Sequence, residues 1–406
     1  MNIWTDTYPL VISCAKGLVP QTSNALMRMG YRISHRTDTT VTVFGGLRDM
    51  MRLNLELRTA HRVLVPLKRT RCANLYFLYN DVYSIPWEDY LDVDQYFTVN
   101  SVVYNDTIHD TRMPALKTKD AIADRMRARL GKRPDSGREF IGASIFVFWE
   151  NDNLEIYIDT TGEALSRRGY RKMPWKAPMQ ETLAAACILE SGWDGTTPFV
   201  APMCGSGTPA IEAALIAINR APGSFKSHFG FMAIKGYTQI IPGEKAGDSV
   251  RKRFGASPEQ IWKSLTAEAK SNERTHDTPP IIASDIDEEA VETARMNAIS
   301  AGVSQYITFQ QCDFAETKVP DVKGVVFMNP VYGERLGVDD ELEALYSRIG
   351  DFLKQRCEGY VGCVFTGNME LSRKVGLRSS RRVPFYNGPI DCRLLVFELY
   401  QGSKEE

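Results

Sequence analysis

The sequence predicts an α/β domain with a doubly wound, mostly parallel sheet, preceded by a smaller α+β region. From Pro198 onward, short apolar runs alternate with segments of helical periodicity, which is the pattern of repeated βα units. Before Asp159, strand-like and helical runs follow one another without this alternation. Because ligands bind beyond the carboxyl ends of the strands in such a sheet, we expect the chemistry at that edge.

Composition narrows the class of protein. A hydrophobic content of 43% and a charged content of 24% are typical of a soluble globular protein. The formal net charge of -1 gives no general attraction for nucleic acid, so a nucleic-acid partner would need a local basic surface. The eight cysteines show no metal-ligand spacing, which predicts structural thiols and no metal site. No signal peptide or membrane-spanning run is evident, and we expect a cytoplasmic protein.

Turn signals and changes in composition divide the chain into four segments. We expect an α+β module over residues 1–69, a second α+β module over 70–160, and a basic linker with a leading helix over 161–195. The α/β domain follows over 196–406, interrupted by an insertion at 220–279. Insertions of this length are usually functional.

Basic residues concentrate in two places, a helix predicted over Lys117–Leu130 and the linker that follows Thr160. A solvated helix face is the ordinary explanation of such a pattern. Arginine beside aromatic residues also suits phosphate contact and base stacking. The candidate nucleic-acid-binding residues are Lys119, Arg125, Arg129, Arg133, Arg167, Arg168, Tyr170 and Arg171.

A glycine-containing loop follows the first strand of the α/β domain. Gly205 and Gly207 allow a ligand to approach the backbone, and the helix that begins after them offers free N–H groups to a carboxylate or phosphate. A tight turn is the simpler explanation. Ala210 stands where a dinucleotide-binding loop has its third glycine, and the lysine of a P-loop is missing.

Acidic residues occupy the ends of the next two strands. Asp285 can accept hydrogen bonds from both hydroxyls of a ribose, although helix capping, which Asp287 can also provide, explains an acid here equally well. Asp313 can accept from the exocyclic amine of adenine, with Phe314 against the face of the ring.

The fourth strand of the domain ends in Asn329-Pro330-Val331-Tyr332. An amide oxygen and a neighbouring carbonyl can accept both hydrogens of an exocyclic amine, while an aromatic ring stacks on the base that carries it. A strand-to-loop turn with a surface tyrosine is about as plausible for this stretch alone. Four signals in order on successive strands are far more specific than any one of them.

With these motifs together, the chain resembles the class I S-adenosylmethionine-dependent methyltransferases. Within that class it is similar to the RNA guanine-N2 methyltransferases that carry an N-terminal THUMP domain. The matching stretches are residues 117–124 of a THUMP helix, 166–171 and 177–186 of the linker, 202–208 of the cofactor loop, 284–287 of the ribose site and 329–335 of the catalytic loop.

The resemblance implies a Rossmann-like, seven-stranded methyltransferase domain, a ferredoxin-like module over 1–69 and a THUMP RNA-binding domain over 70–160. It implies S-adenosylmethionine as the cofactor, held by Pro202, Met203, Cys204, Gly205, Ser206, Gly207, Thr208, Asp285, Ile286, Asp313 and Phe314. Asn329 and Pro330 would accept the hydrogens of the target amine, and Tyr332 would stack on the base. The partner would be RNA, with large-subunit ribosomal RNA favoured over transfer RNA.

Two positions depart from the family pattern. Ala201 replaces an acidic residue before the cofactor loop, and Val331 replaces a second proline. They motivate a second hypothesis, a non-catalytic RNA-binding protein that keeps the fold. A nicotinamide-dependent oxidoreductase is a more distant alternative, and methylation of adenine or of a DNA base stays chemically open.

Overall fold

A computed structural model describes residues 1–106, 108, 110–173, 178–237, 253–332 and 340–400. The chain forms two compact units. The first comprises Met1–Cys14, Ser23–Leu165 and Lys226–Glu268, and the second comprises Ala15–Thr22, Ser166–Phe225 and Ala269–Glu406. Part of the predicted insertion therefore folds with the N-terminal unit, although it lies within the α/β domain in sequence.

The first unit is built on one eight-stranded sheet in the order β2-β3-β1-β4-β8-β7-β5-β6. Its strands are β1 (Tyr8–Ser13), β2 (Ile33–Arg36), β3 (Thr40–Gly45), β4 (Arg62–Arg71), β5 (Tyr96–Tyr104), β6 (Asp135–Gly137), β7 (Ala143–Glu150) and β8 (Asn153–Asp159). In the first 160 residues the α-helices are Val19–Arg28, Leu47–Glu56, Leu75–Tyr83 and Met113–Leu130, and Pro258–Ser271 comes later in the chain.

Strand β4 makes this sheet continuous. It pairs antiparallel with β1 through Val11 and Leu64, and antiparallel with β8 through Leu64 and Asp159. The predicted module boundary after residue 69 falls within β4, so the two α+β segments share a sheet.

The second unit contains the predicted α/β sheet, with seven strands in the order β11-β10-β9-β12-β13-β15-β14. The strands are β9 (Phe199–Pro202), β10 (Ile281–Asp285), β11 (Ile307–Gln311), β12 (Val325–Met328), β13 (Val361–Thr366), β14 (Arg381–Asn387) and β15 (Ile390–Glu398). Strands β9 to β13 are parallel, whereas β15 runs antiparallel to both of its neighbours. The predicted doubly wound, mostly parallel fold is confirmed.

Helices cover this sheet because their apolar faces must be buried against it. They are Glu181–Glu190, Thr208–Ala217, Glu288–Ser300, Asp340–Arg356 and Met369–Lys374. All ten residues of Thr208–Ala217 are buried. In the core, Tyr346 and Phe352 pack with Val326 and Val364. None of the helices in the described ranges is long and apolar enough to cross a membrane.

The strand order creates a switch point beside β9. From β9 the chain proceeds to β10 and β11 on one side, then returns to β12 on the other. Loops that leave neighbouring strands in opposite directions open a crevice at the carboxyl edge of the sheet. The loops that follow Pro202 and Met328 border this crevice, so the fold positions two predicted motifs next to each other.

Candidate functional site

The loop after β9 has an unusual backbone. Met203, Gly205 and Gly207 have φ values of 67°, 51° and 82°, in the left-handed region that disfavours side chains. A Cβ atom on Gly207 would lie 2.8 Å from the Cβ of Ala294, in the helix Glu288–Ser300. Close packing and backbone conformation therefore both require glycine at position 207.

The backbone of this loop faces a ligand more readily than its side chains do. Ser206 and Thr208 are buried, and their hydroxyl oxygens lie 3.4 Å apart. Burial raises the pKa of the Cys204 thiol well above its ordinary value, with the nearby Asp285 carboxylate adding to the effect, so the thiol stays neutral. The helix that begins at Thr208 presents backbone N–H groups without intrahelical partners, which favour a negatively charged group.

Asp285 joins the cofactor loop to the end of β10. Its Oδ2 accepts a hydrogen bond from the Gly205 N–H at 2.9 Å, and its Oδ1 accepts from the Asp287 N–H at 3.1 Å. The cap of the following helix is Asp287, whose side chain accepts from the Glu289 N–H. Each Asp285 oxygen has a second lone pair, so the carboxylate can still accept from ribose hydroxyls. Ile286, the next predicted contact, is 70% exposed at the same edge.

Asn297 was not found by the sequence analysis, yet it organises the loop. Its Oδ1 accepts hydrogen bonds from the N–H groups of Lys172 and Met173, both at 3.0 Å. Its Nδ2 donates to the carbonyl of Ser206 at 3.2 Å and to that of Met173 at 3.3 Å. This buried amide thus ties the linker to the cofactor loop. An asparagine on the inner face of a helix was the only available signal.

Asp313 lies at the end of β11, as predicted. Its Oδ1 accepts from the Ala315 N–H at 2.9 Å and from the Arg348 guanidinium at 2.8 Å. Partial burial would raise the pKa of Asp313, but the hydrogen bonds from Arg348 and Ala315 outweigh it, and the pKa is lowered. The carboxylate is therefore ionised and can accept a further hydrogen bond.

The prediction for Phe314 needs correction. The residue is only 5% exposed, and its ring packs edge-on against Phe352 with centroids 5.9 Å apart. The Arg348 guanidinium lies 4.9 Å from the ring centroid. Because apolar packing draws the ring into the core, it does not offer the open face that stacking on adenine would need.

The loop after β12 begins with a polar atom that lacks a partner. The Asn329 Oδ1 is buried and has no hydrogen-bond partner among the described residues. Pro330, which follows it, is buried. The Val331 side chain is 56% exposed, and its carbonyl oxygen lies 3.5 Å from the hydroxyl of Tyr346. The rest of the predicted catalytic loop, Gly333, Glu334 and Arg335, lies outside the described residues.

Tyr332 is half-buried and contacts residues of β13 and β14. Its ring meets that of Phe365 edge-on, with centroids 6.0 Å apart, and its hydroxyl accepts a hydrogen bond from the Asn387 Nδ2 at 2.9 Å. Burial raises the pKa of Tyr332 above its ordinary value, against the lowering effect of the Asn387 contact. The side chain is therefore a neutral phenol with a defined orientation.

The structure corrects several predicted RNA contacts. Arg168 and Tyr170 are each 1% exposed and both bind the buried Glu212 carboxylate, at 3.4 Å and 2.9 Å. Arg171 donates to the Thr208 hydroxyl at 3.1 Å and to the carbonyl of Met179 at 2.7 Å. Buried or internally bound guanidinium groups do not reach phosphates, so these linker residues support the cofactor helix instead. Pro174 to Ala177 lie outside the described residues.

In the N-terminal unit, some of the predicted RNA-binding residues are likewise bound inside the protein, and others are exposed. Arg125 is buried and donates to both carboxylate oxygens of Glu88, at 2.8 Å and 2.6 Å, so its prediction as an RNA contact is also wrong. The Lys119 ammonium donates to the carbonyl of Gly137 at 2.7 Å, and burial lowers its pKa. Arg129 and Arg133 are exposed, and the Arg129 Nε lies 4.0 Å from the Glu88 carboxylate. Arg167, which belongs to the second unit, is also exposed.

Known proteins share both this fold and its arrangement of motifs. Residues 168–395 match the family described as "RMKL-like, methyltransferase domain", and this match covers more than half of the chain. This chain belongs to the RMKL-like methyltransferase family. Residues 9–64 match the "RlmL ferredoxin-like domain", and residues 72–159 match the "THUMP domain".

Individual proteins that are similar to this RMKL-like chain also carry methyltransferase names. It is 33% identical to the "Putative RNA methyltransferase slr0064" of Synechocystis sp. over 97% of both chains. It is 34% identical to the "Ribosomal RNA large subunit methyltransferase K/L" of Syntrophotalea carbinolica, over 95% of this chain and 52% of the relative. The chain thus spans about half the length of that second relative. The solved structure of SMU.472, described as "a putative methyltransferase complexed with SAH", superposes with a TM-score of 0.82 at 28% identity, covering 98% of this chain and 100% of the other.

The resemblance to THUMP-containing class I RNA methyltransferases is confirmed, and S-adenosylmethionine is the cofactor of this RMKL-like protein. The described residues fit that cofactor. The glycine loop and the first turn of the helix at Thr208 suit its amino-acid end, and the carboxylates of Asp285 and Asp313 stand at successive strand ends. No three His, Cys, Asp or Glu side chains within the described ranges form a group that would hold a metal ion.

Proposed function

We propose that this protein methylates the exocyclic N2 amine of a guanosine in RNA, with large-subunit ribosomal RNA as the favoured substrate. The buried Asn329 Oδ1, which has no hydrogen-bond partner in the described parts of the chain, carries the proposal. A buried acceptor without a donor costs about 1–3 kcal/mol, so its retention beside the cofactor crevice suggests a donor supplied by the substrate. The exocyclic amine of a base is such a donor.

In the reaction that we propose, this chain acts mainly by positioning. The Asn329 Oδ1 and the Pro330 carbonyl accept the two amine hydrogens, which turns the nitrogen lone pair toward the reactive methyl group. S-adenosylmethionine, when bound, supplies that methyl group on a sulfonium centre. An N–C bond forms as the C–S bond breaks, and the amine releases its proton during or after the transfer. No strong base is required, because correct placement removes much of the barrier.

The target base must leave its stack before the loop can hold its amine. Tyr332 offers a ring for the displaced base, as enzymes that modify nucleotides commonly do. Arg129, Arg133 and Arg167 are the exposed cations that would contact RNA phosphates. The name of the Syntrophotalea carbinolica relative favours ribosomal RNA as the substrate. Transfer RNA is the second candidate, and an adenine amine fits the same loop chemistry.

The proposal is tested by an in-vitro methylation assay. Its substrate is RNA isolated from cells that lack this protein. The wild-type protein should transfer labelled methyl to one guanosine, detected as N2-methylguanosine by mass spectrometry of nucleosides. Asn329→Ala should lower kcat by roughly 100-fold because the amine is no longer oriented. Asn329→Asp, which keeps an accepting oxygen in a similar shape, is the matched control and should retain more activity than the alanine variant.

Each result bears on a different part of the proposal. A wild-type rate for Asn329→Ala would refute the role of Asn329. Methyl groups found only on adenine would refute the proposed base. Failure of the wild-type protein to bind S-adenosylmethionine in calorimetry would favour the non-catalytic RNA-binding hypothesis that Ala201 and Val331 motivate.

A further inference from the structure

We propose that Asn387 is a positioning residue that fixes the Tyr332 ring for stacking on the target base. This inference rests on the proposed function and adds the hairpin of β14 and β15 to the substrate site. The hydrogen bond from the Asn387 Nδ2 to the Tyr332 hydroxyl, 2.9 Å long, is the primary observation. The two residues are 55 positions apart in sequence.

The hairpin places Asn387 where it can reach the loop. Asn387 is the last residue of β14 and pairs with Ile390, the first residue of β15. Gly388, in the turn between them, has a φ of 60°, which glycine adopts without strain. Because β15 is antiparallel to β13, the hairpin turn reaches the same edge of the sheet as the ends of β12 and β13. Asn387 is thus held at the edge where Tyr332 emerges.

Packing restricts the Tyr332 ring from other directions. The ring of Phe365 meets it edge-on, with an interplanar angle of 71°. A Cβ atom on Gly367 would lie 2.9 Å from Cδ2 and 3.0 Å from Cε2 of Tyr332, and 2.8 Å from Cγ2 of Ile390. The absence of a side chain at Gly367 therefore makes the space that the ring occupies. Asn387 completes this setting by holding the far end of the ring.

The hydrogen bond from Asn387 to the Tyr332 hydroxyl is expected to affect substrate binding, because Tyr332 lies on the predicted catalytic loop. Tyr332 lies two residues after Pro330, with Val331 between them, so a rotation of its ring is expected to disturb the groups proposed to hold the amine. A ring already held in one orientation loses less conformational entropy when a base stacks on it. Asn387 is therefore expected to strengthen binding of the target RNA. It should not affect binding of S-adenosylmethionine, because other residues form the cofactor loop.

A double-mutant cycle with Asn387→Ala and Tyr332→Phe tests the inference, with methyl transfer into target RNA as the assay. Each single variant removes the Asn387–Tyr332 hydrogen bond, and Tyr332→Phe also removes the contact between the hydroxyl and the Cys392 thiol. Asn387→Ala should therefore lower kcat/KM for RNA by about 10-fold, mainly through KM, and Tyr332→Phe by at least as much. The double variant should be no worse than Tyr332→Phe alone. The affinity for S-adenosylmethionine, measured by calorimetry, should stay at the wild-type value in all three.

Three further variants sharpen the result. Asn387→Asp should retain most activity, because the neutral phenol can donate to the new carboxylate. Gly367→Ala should lower kcat/KM for RNA by at least 10-fold, because its methyl group displaces the ring. Asn272→Ala, at an exposed asparagine of the same unit, is the matched control and should behave as wild type.

The outcomes separate the inference from the proposed function. Losses that multiply to about 100-fold in the double variant, or single variants that act as wild type, overturn the positioning role while methyl transfer itself stands. Equal loss of S-adenosylmethionine affinity in the Asn387→Ala variant also overturns it, because that indicates a general structural role. A wild-type protein that transfers no methyl to RNA overturns both.

Discussion

At the scale of single residues, a glycine is least replaceable where both its backbone conformation and its close neighbours exclude a side chain. Gly207 combines a φ of 82° with a Cβ position 2.8 Å from the Cβ of Ala294. Gly192 has a similar φ of 85°, but no atom lies within 4 Å of its Cβ position. The pair therefore separates the effect of backbone strain from that of close packing.

We expect Gly207→Ala to weaken cofactor binding strongly, whereas Gly192→Ala should leave the cofactor affinity unchanged. The alanine at position 207 must push the loop away from the helix Glu288–Ser300, which should weaken S-adenosylmethionine binding by roughly 100-fold or more. The alanine at position 192 introduces only backbone strain, which should lower the free energy of unfolding by on the order of 1–2 kcal/mol. Isothermal titration calorimetry and urea unfolding measure the two effects. Equal cofactor affinities for the two variants would contradict this account.

At the scale of secondary-structure elements, buried amides and ion pairs connect the linker to the methyltransferase sheet. Asn297 accepts two hydrogen bonds on its Oδ1 and donates two from its Nδ2, and so joins residues 172–173 to the loop after β9. The Arg168 and Tyr170 side chains bind Glu212 inside the same unit. A linker whose basic residues suggest a solvated surface is thus bound to the loop and helix that are predicted to hold the cofactor.

Replacement of Asn297 should loosen this connection. In Asn297→Ala, two N–H groups and two carbonyls lose their partner in a buried setting, which should lower the free energy of unfolding by on the order of 3 kcal/mol. Asn297→Asp keeps the accepting oxygen for Lys172 and Met173, and should lose less stability. Urea denaturation provides the measurement. A change below about 0.5 kcal/mol for the alanine variant would show that the linker is held by other contacts.

At the scale of the whole molecule, positive and negative charges nearly cancel. The net charge is -1, so RNA binding must depend on local cations that remain exposed. Arg129 and Arg133 are exposed, although the Arg129 Nε lies 4.0 Å from Glu88. Arg125 does not satisfy the condition, because it is buried and bound directly to Glu88. Phosphate contacts by a few such residues give binding that falls steeply with salt.

We expect Arg129→Gln with Arg133→Gln to weaken RNA binding and to flatten its salt dependence. Each phosphate contact on single-stranded RNA contributes about 0.7 to the slope of log K against log salt, so two lost contacts should reduce it by roughly 1.4. Filter binding at several salt concentrations measures the slope. Lys263→Gln, at an exposed lysine of the same unit, is the matched control, and an equal effect there would argue against a specific surface.

Local patterns in the sequence are sufficient to predict the fold class, the glycine-containing loop after β9 and the order of the motifs along the strand ends. These features depend on local periodicity and on glycine, proline and asparagine at turns, which are visible over a few residues. Asp285, Asp313 and Asn329 accordingly stand at the ends of β10, β11 and β12.

Tertiary packing, by contrast, sets which polar side chains are buried and which contacts they make. Arg168 and Tyr170 turn inward because Glu212, more than 40 residues away, lies beneath them, and Phe314 is drawn into the core by Phe352. The bond between Asn387 and Tyr332 spans 55 positions. Such contacts depend on the packing of distant elements, and no local pattern in the sequence encodes it.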